Sequence, residues 1–277
     1  MNWESVEKRK LSWSEIWGME SNRLNFIIRA TYDVLPSPVN LQMWFGKDPS
    51  CLLCTVPAIL KHILVGCRTS LTQGRCTWRH NQVLRCLAEK VEGKRKSINA
   101  QPFTNQEERQ LSSTFVREGD KPRTSPSTPD LGPLKVARDR QMQVDLDQRL
   151  IFPTQIVITT LRPDLILWSN SQKLAYVIEL MVPWEEAIEE AFERKKLRYA
   201  NLAAEAEDRG WKIKVRPVEV GCRGFVASTT AKLLREIGIR RQAQQQAIRE
   251  LANTAERTSH WLWLKRADIT WAAQAVS

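Results

Sequence analysis

Apolar residues recur at helical spacing near the amino terminus, where Trp13, Ile16, Trp17, Leu24 and Ile27 punctuate a segment running from Glu4 to about Val34. That period predicts an amphipathic helix, which Pro36 and Pro38 are expected to stop. After a cysteine-containing stretch, Thr77 to Val91 is expected to form a second helix with Trp78, Val83, Leu84 and Leu87 as its apolar contacts. The character changes at Gly93. Lys94-Arg95-Lys96 opens a stretch to Arg140 rich in Ser, Thr, Pro, Gln and charge. Such a composition buries too little apolar surface to offset the entropy of ordering it, so residues 93 to 140 are expected to be a flexible linker between two modules.

A folded pattern resumes past Arg140. Gln155 to Thr160, Leu165 to Trp168 and Leu174 to Val182 are strand-like, and Trp184 to about Asp208 predicts a long amphipathic helix closed by Gly210. Lys212 to Val220 predicts another strand and Thr229 to Ile237 a short helix. Gln242 to about Thr258 predicts a polar helix, followed by the tryptophan-rich run His260-Trp261-Leu262-Trp263. Strands alternating with helices point to an α/β fold. The expected organisation is a helical arm at 1–50, a cysteine-bearing unit with its trailing helix at 51–92, the linker at 93–140 and an α/β domain at 141–277.

Bulk composition refines this picture. The 277 residues leave room for one large or two small domains, and the 42% hydrophobic content lets part of the chain bury a core. The formal net charge of +11 favours a polyanionic partner. Nucleic acid is the first candidate, because lysine and arginine release counterions from phosphates. An anionic membrane surface is the alternative, but no stretch resembles a spanning helix or a signal peptide, so the chain is expected to be soluble and intracellular. No small-molecule substrate is expected.

Three of the six cysteines fall within a short span as Cys51-Leu-Leu-Cys54, seven residues, His62, four residues, Cys67. A C-x2-C turn aims two thiolates at one ion, and His62 and Cys67, five positions apart, lie near one helical face. Zinc takes four such ligands tetrahedrally and contributes folding energy that this short apolar segment lacks. In a reducing compartment the pattern indicates metal rather than disulfides, with a satisfied core histidine among incidental cysteines as the bland alternative. Cys76 and Cys86 are read as packing residues, with Cys76 a possible substitute ligand.

A second constellation is acidic. Asp164 enters the run Leu165-Ile166-Leu167-Trp168, and Glu179 lies in Leu174 to Met181. Paired strands of this kind bring the two carboxylates to one end of a sheet, where they suit an oxygen-seeking cation such as Mg²⁺. Tyr176, Ile178 and Leu180 alternate with Val177, Glu179 and Met181, so both faces of the strand are largely apolar. The strand should therefore be central, and a carboxylate buried in it needs a cationic partner. The alternative is a structural salt bridge, for instance to Arg162. On the next helix Ile188, Phe192, Tyr199 and Leu202 form an inward stripe with Lys195 in its middle. Lys195 is expected either to meet the acids or to snorkel to the surface. Glu185, Glu186, Glu189, Glu190 and Glu193 are read as a solvated face, with Glu185 or Glu186 as a conceivable outer ligand.

Together, Cys51-Cys54-His62-Cys67 and Arg162-Pro163-Asp164 followed by Glu179 resemble the C-terminal region of site-specific non-LTR retrotransposon polyproteins. That region carries a zinc knuckle and a restriction-like endonuclease of the PD-(D/E)xK superfamily. The runs at 161–164, 179–185, 193–199, 219–225 and 261–268 are similar to copies in vertebrate, especially fish, genomes. The resemblance implies a restriction-endonuclease-like mixed sheet flanked by helices, occupying 141–277 behind the helical arm and the knuckle. It implies a Mg²⁺-dependent endonuclease that nicks target DNA, so that the freed 3′ end primes reverse transcription. Asp164 and Glu179 would hold the Mg²⁺, Lys195, Arg198 and Tyr199 would complete the catalytic set, and the zinc knuckle would bind target DNA. DNA, and the element's own RNA as a second ligand, are the implied partners, and the nucleus the implied location.

The sequence departs from the superfamily pattern in one place: the usual lysine two residues after the second acid is Met181, for which Lys195 would compensate. About fifty residues stand before Cys51, so no reverse transcriptase activity is expected, and the chain reads as an element fragment, a truncated copy or a host protein reusing the module. A nucleic-acid-binding remnant without catalysis, and a zinc-stabilised scaffold for protein partners, are the competing functions.

Overall fold

Alternating apolar positions organise a four-stranded mixed sheet with strand order β1-β2-β3-β4 in the computed structural model, which describes residues 6–7, 12–101, 134, 137–146 and 148–272. The strands are β1 (Arg140–Val144), β2 (Leu165–Ser169), β3 (Leu174–Met181) and β4 (Lys212–Glu219). β1 to β3 form an antiparallel meander, and β4 joins β3 in parallel. The meander's tight turn between β2 and β3 places Lys173 at φ 47°. The parallel pair requires a crossover, supplied by helices α6 (Ile188–Arg198) and α7 (Ala200–Asp208). β4 is an edge strand, which tolerates Pro217 without losing an internal ladder bond.

Every residue of β2 and β3 is buried, as expected for a strand apolar on both faces. One face of the sheet, with Leu165, Leu167, Tyr176, Ile178 and Leu180, packs on helices α5 (Arg75–Asn99), α8 (Ser228–Glu236) and α9 (Arg241–Leu264). The other, with Ile166, Trp168, Ala175 and Val177, packs on Tyr199, Leu202 and Ala206 from the crossover. The mixed α/β class is therefore present, with helices on both faces.

The amino-terminal arm is docked. It comprises α1 (Trp13–Trp17), α2 (Ser21–Thr31) and α3 (Pro38–Phe45) in place of one continuous helix. Ser12 closes a capping box on α1. Pro38, expected to end a helix, begins one: Ser37 caps α3 and Pro38 takes the first turn, where its missing N–H costs nothing. Arg23 of α2 donates from Nε to Glu256 Oε2 of α9 at 2.8 Å, and Phe26 stacks on His260 at 4.7 Å.

Four further expectations are corrected. The linker was expected to begin at residue 93, but α5 continues to Asn99, because Val91 and Ile98 remain on its buried face and Arg95 and Asn99 donate to Arg140 O of β1. The middle of the expected linker, residues 102–133, lies outside the described residues. Gln155 to Thr160 is a turn rather than a strand; Ile156 and Val157 are buried there without pairing. The helix after Trp184 opens with a 3-10 turn (Glu185–Ala187) and breaks at Tyr199. Finally, α9 runs through the tryptophan-rich segment to Leu264, carrying Leu262 and Trp263 into the core around the cysteine cluster. Among the described residues no helix is long and apolar enough to cross a membrane.

Candidate metal centre and acidic cleft

The Cys-x-x-Cys segment folds into a tight turn. Cys51 N–H donates to Val56 O, Thr55 N–H donates to Cys51 O, and Ser50 bridges Pro57. Thr55 takes φ 61°, the left-handed bend that returns the chain beside the two thiols. His62 opens a π-helical turn (His62–Gly66), and Cys67 precedes helix α4 (Arg68–Thr72). Their donor atoms, with those of Cys51 and Cys54, all lie within 4.8 Å of one another. Cys51 Sγ is 3.9 Å from Cys67 Sγ, and Cys54 Sγ is 3.2 Å from His62 Nε2. A tetrahedral zinc with ~2.3 Å bonds to sulfur has edges of ~3.8 Å, so the donor set fits that ion. The four residues are positioned to bind a metal, compatible with structural zinc. Burial and the neighbouring cysteines push the Cys54 thiol up to about 11. Burial opposes ionisation at Cys67 too, but bonds from Ser70, Cys54 and Cys51 together outweigh it and lower its pKa. Cys76 is not part of the set: its thiol points to Leu64 O at 3.7 Å.

Asp164 lines a nearby cleft of about 440 Å³, whereas Glu179 is buried and does not line it. Asp164 sits just before β2, and its Oδ2 accepts from Leu180 N of β3 at 2.7 Å. This bond ties the aspartate to the backbone of the residue after Glu179; Glu179 itself is 1% exposed. Glu179 Oε2 accepts from Lys195 Nζ at 2.5 Å, and Oε1 accepts from the Tyr199 hydroxyl. Lys195 and Tyr199 are four apart, so one face of the crossover helix supplies both donors. Burial and the nearby charge of Asp164 raise the Glu179 pKa, against the opposing pull of Lys195 and Tyr199. Burial and the bond to Glu179 raise that of Tyr199 in turn.

Of the sequence-derived set, Asp164, Glu179, Lys195 and Tyr199 come together. Arg198 does not. It is exposed, outside the cleft, with its guanidinium 5.6 Å from the Tyr199 ring centroid, because the face used by positions 195 and 199 turns position 198 toward solvent. Arg162 is not the partner of Glu179 either; it donates to Gln148 O.

Two groups were missed from sequence. His80 of α5 enters the cleft with Nε2 3.4 Å from Asp164 Oδ2 and 3.2 Å from Leu180 O. Burial works against its charged form, but the bond to Asp164 and its charge outweigh this and raise its pKa. Glu185, assigned to a solvated face, is 5% exposed. The 3-10 turn swings it inward, where Arg223 donates to it from Nε at 2.8 Å and from the backbone at 2.5 Å. Val65, Leu71, Cys76 and Thr77, from the segment around the cysteine cluster, also line the cleft. Arg194 joins Lys195 on the helix side.

Compared with models of known families and with curated proteins, the chain matches none.

Proposed function

We propose that this chain is a divalent-cation-dependent DNA endonuclease module with a restriction-endonuclease-like fold, related to the nuclease region of site-specific non-LTR retrotransposons, and that its Cys/His unit is a zinc knuckle lining the same cleft. The observation that carries the reading is the placement of Asp164 and Lys195 on one open cleft, with the buried Glu179 bonded to Lys195, in a chain bearing eleven net positive charges.

The donor set suits a hard cation: Asp164 and Glu179 are carboxylates near enough for the charge of Asp164 to raise the Glu179 pKa, and burial leaves Glu179 dependent on cationic partners. A bound Mg²⁺ would supply Lewis acidity and a more acidic water. The chain's own residues do the rest. Tyr199 and Lys195 fix the Glu179 carboxylate, and the Leu180 N–H fixes Asp164. Lys195, with its side chain 21% exposed at the cleft, is placed to orient the attacking water and to offset charge on the phosphate. Hydrolysis joins the water oxygen to phosphorus and breaks the bond to the leaving 3′ oxygen. The products are a 5′ phosphate and a 3′ hydroxyl, the end that target-primed reverse transcription extends. DNA is the proposed partner, with the element's RNA as a second ligand, and the nucleus the proposed location.

One observation favours a second reading, a DNA-binding remnant without catalysis. Both oxygens of Glu179 already accept from Lys195 and Tyr199, and the strand offers Met181 rather than a further lysine. Supercoiled-plasmid nicking separates the two. The nuclease reading expects Mg²⁺- or Mn²⁺-dependent nicking that EDTA and Asp164→Ala abolish and Lys195→Ala reduces at least ~10²-fold, the scale of a lost transition-state donor. Nicking that survives Asp164→Ala refutes the site; DNA binding with no nicking establishes the remnant.

A further inference from the structure

Among the described residues that line the cleft, Arg79, His80, Arg194 and Lys195 are basic and Asp164 is the one carboxylate. Three of the four basic side chains are already bonded. Arg79, which is 2% exposed, donates to Ser259 Oγ of α9 at 3.2 Å and to Val182 O beyond β3 at 3.3 Å. His80 Nε2 faces Leu180 O at 3.2 Å and Asp164 Oδ2 at 3.4 Å as a proton donor. Lys195 Nζ donates to the buried Glu179 at 2.5 Å. The two acids thus answer His80 and Lys195, while Arg79 is bonded to a hydroxyl and a carbonyl and brings its charge to the lining without an acid.

Arg194 is the exception. It is exposed on α6, lines the cleft, and makes no hydrogen bond or ion pair among the described residues. An arginine serving only a solvated helix face would pair with Glu190, which is also exposed and one turn earlier, because a glutamate four positions before a cation is the favourable order. Instead Arg194 is turned to the cleft, next to the lysine that holds Glu179. A guanidinium is always charged, and its planar fork matches two oxygens of a phosphate. A concave site with more fixed cations than acids concentrates anions by its own field, before any metal is present.

We propose that Arg194 binds the phosphodiester backbone of DNA in the cleft, and that this contact forms without a divalent cation. The inference rests on the nuclease reading for the identity of the anion and adds the residue that holds it. Arg194 acts on binding, so its loss weakens DNA affinity and raises KM, with little change in kcat.

The test uses the full zinc-loaded chain with no other divalent cation added. Binding of a fluorescein-labelled DNA duplex is followed by anisotropy over a series of salt concentrations. Arg194→Ala should weaken binding about 10-fold, the scale of one charge-assisted hydrogen-bonded contact. It should also lower the slope of log affinity against log salt by about 1, as expected for one lost phosphate contact. Arg194→Lys should keep the slope and recover part of the affinity. Arg198→Ala removes the same charge from the same helix outside the cleft and should do less. A second measurement needs no variant: bound DNA should protect Arg194, and not Arg198, from modification by phenylglyoxal, read by mass spectrometry. Equal effects of the two alanine substitutions, or equal protection of the two arginines, overturn the role of Arg194 and leave the nuclease reading standing. Selective effects at Arg194 in a chain that never nicks DNA uphold the contact and overturn the nuclease reading in favour of the remnant. An unaltered chain that binds no DNA overturns both.

Discussion

Glu219, at the end of β4, offers a quantitative test of the packing that is independent of any activity. It is fully buried; Oε2 accepts from the Thr229 hydroxyl at 2.7 Å, and Oε1 has no hydrogen-bond partner among the described residues. Burial outweighs the Thr229 bond and the bond from the group's own backbone, and raises its pKa to about 7. In the unfolded chain the same group loses its proton near the ordinary value of 4.5. Between those values the folded state binds more protons than the unfolded one, so stability falls as pH rises through the window, and the loss is complete above the folded value. Integrated from pH 5 to 8.5, these two pKa values cost about 2.5 kcal/mol. Glu219→Gln keeps the shape and cannot ionise. Urea unfolding at the two pH values should show the unaltered protein losing about 2.5 kcal/mol more than the variant on going to the higher pH, and taking the difference between proteins removes what other groups contribute. Equal losses in both would mean that Glu219 is not held uncharged, and that the packing around Thr229 is described wrongly.

Two further outcomes follow from the other polar groups. Replacing Cys51 with Ser should lower bound zinc from about one per chain to near none by metal analysis, and should lower the melting temperature by unseating Leu60, Leu64 and Trp263 from the shared core; a variant that keeps its zinc refutes the ligand set. Arg223→Ala leaves the buried Glu185 carboxylate without its guanidinium and should cost about 3–5 kcal/mol in urea unfolding, most of it recovered by Glu185→Gln in the same chain. No recovery in the double variant would refute the pairing as the cause.

What could be read from the sequence follows the range of the interactions involved. The Cys51-to-Cys67 set is legible because metal ligation imposes its own spacing within one short segment. The burial of Glu179 is legible because Tyr176, Ile178 and Leu180 on one face and Val177 on the other leave its strand no solvent side. Lys195 could be matched to it because helical period alone places that residue on the apolar stripe. The failures are tertiary. Glu185 sits in a run of glutamates, and only the 3-10 turn, set by how Trp184 leaves the sheet, turns it toward Arg223. His80 carries no local mark, since nothing near Trp78 and Val83 signals that β3 and Asp164 pack on that turn of α5. The same packing carries α5 to Asn99, where a polar, charged sequence argues for a linker.

Helix α5 touches both the wall of the cleft and the buried face of the sheet, and this restricts how the segment can be divided. A polypeptide starting at residue 141 would leave Leu165, Leu167, Ile178 and Leu180 without Val83, Leu84, Leu87 and Val91 to cover them. Parting the cysteine unit from the strands would therefore strip the sheet of part of its apolar cover, so the two are expected to fold as one unit.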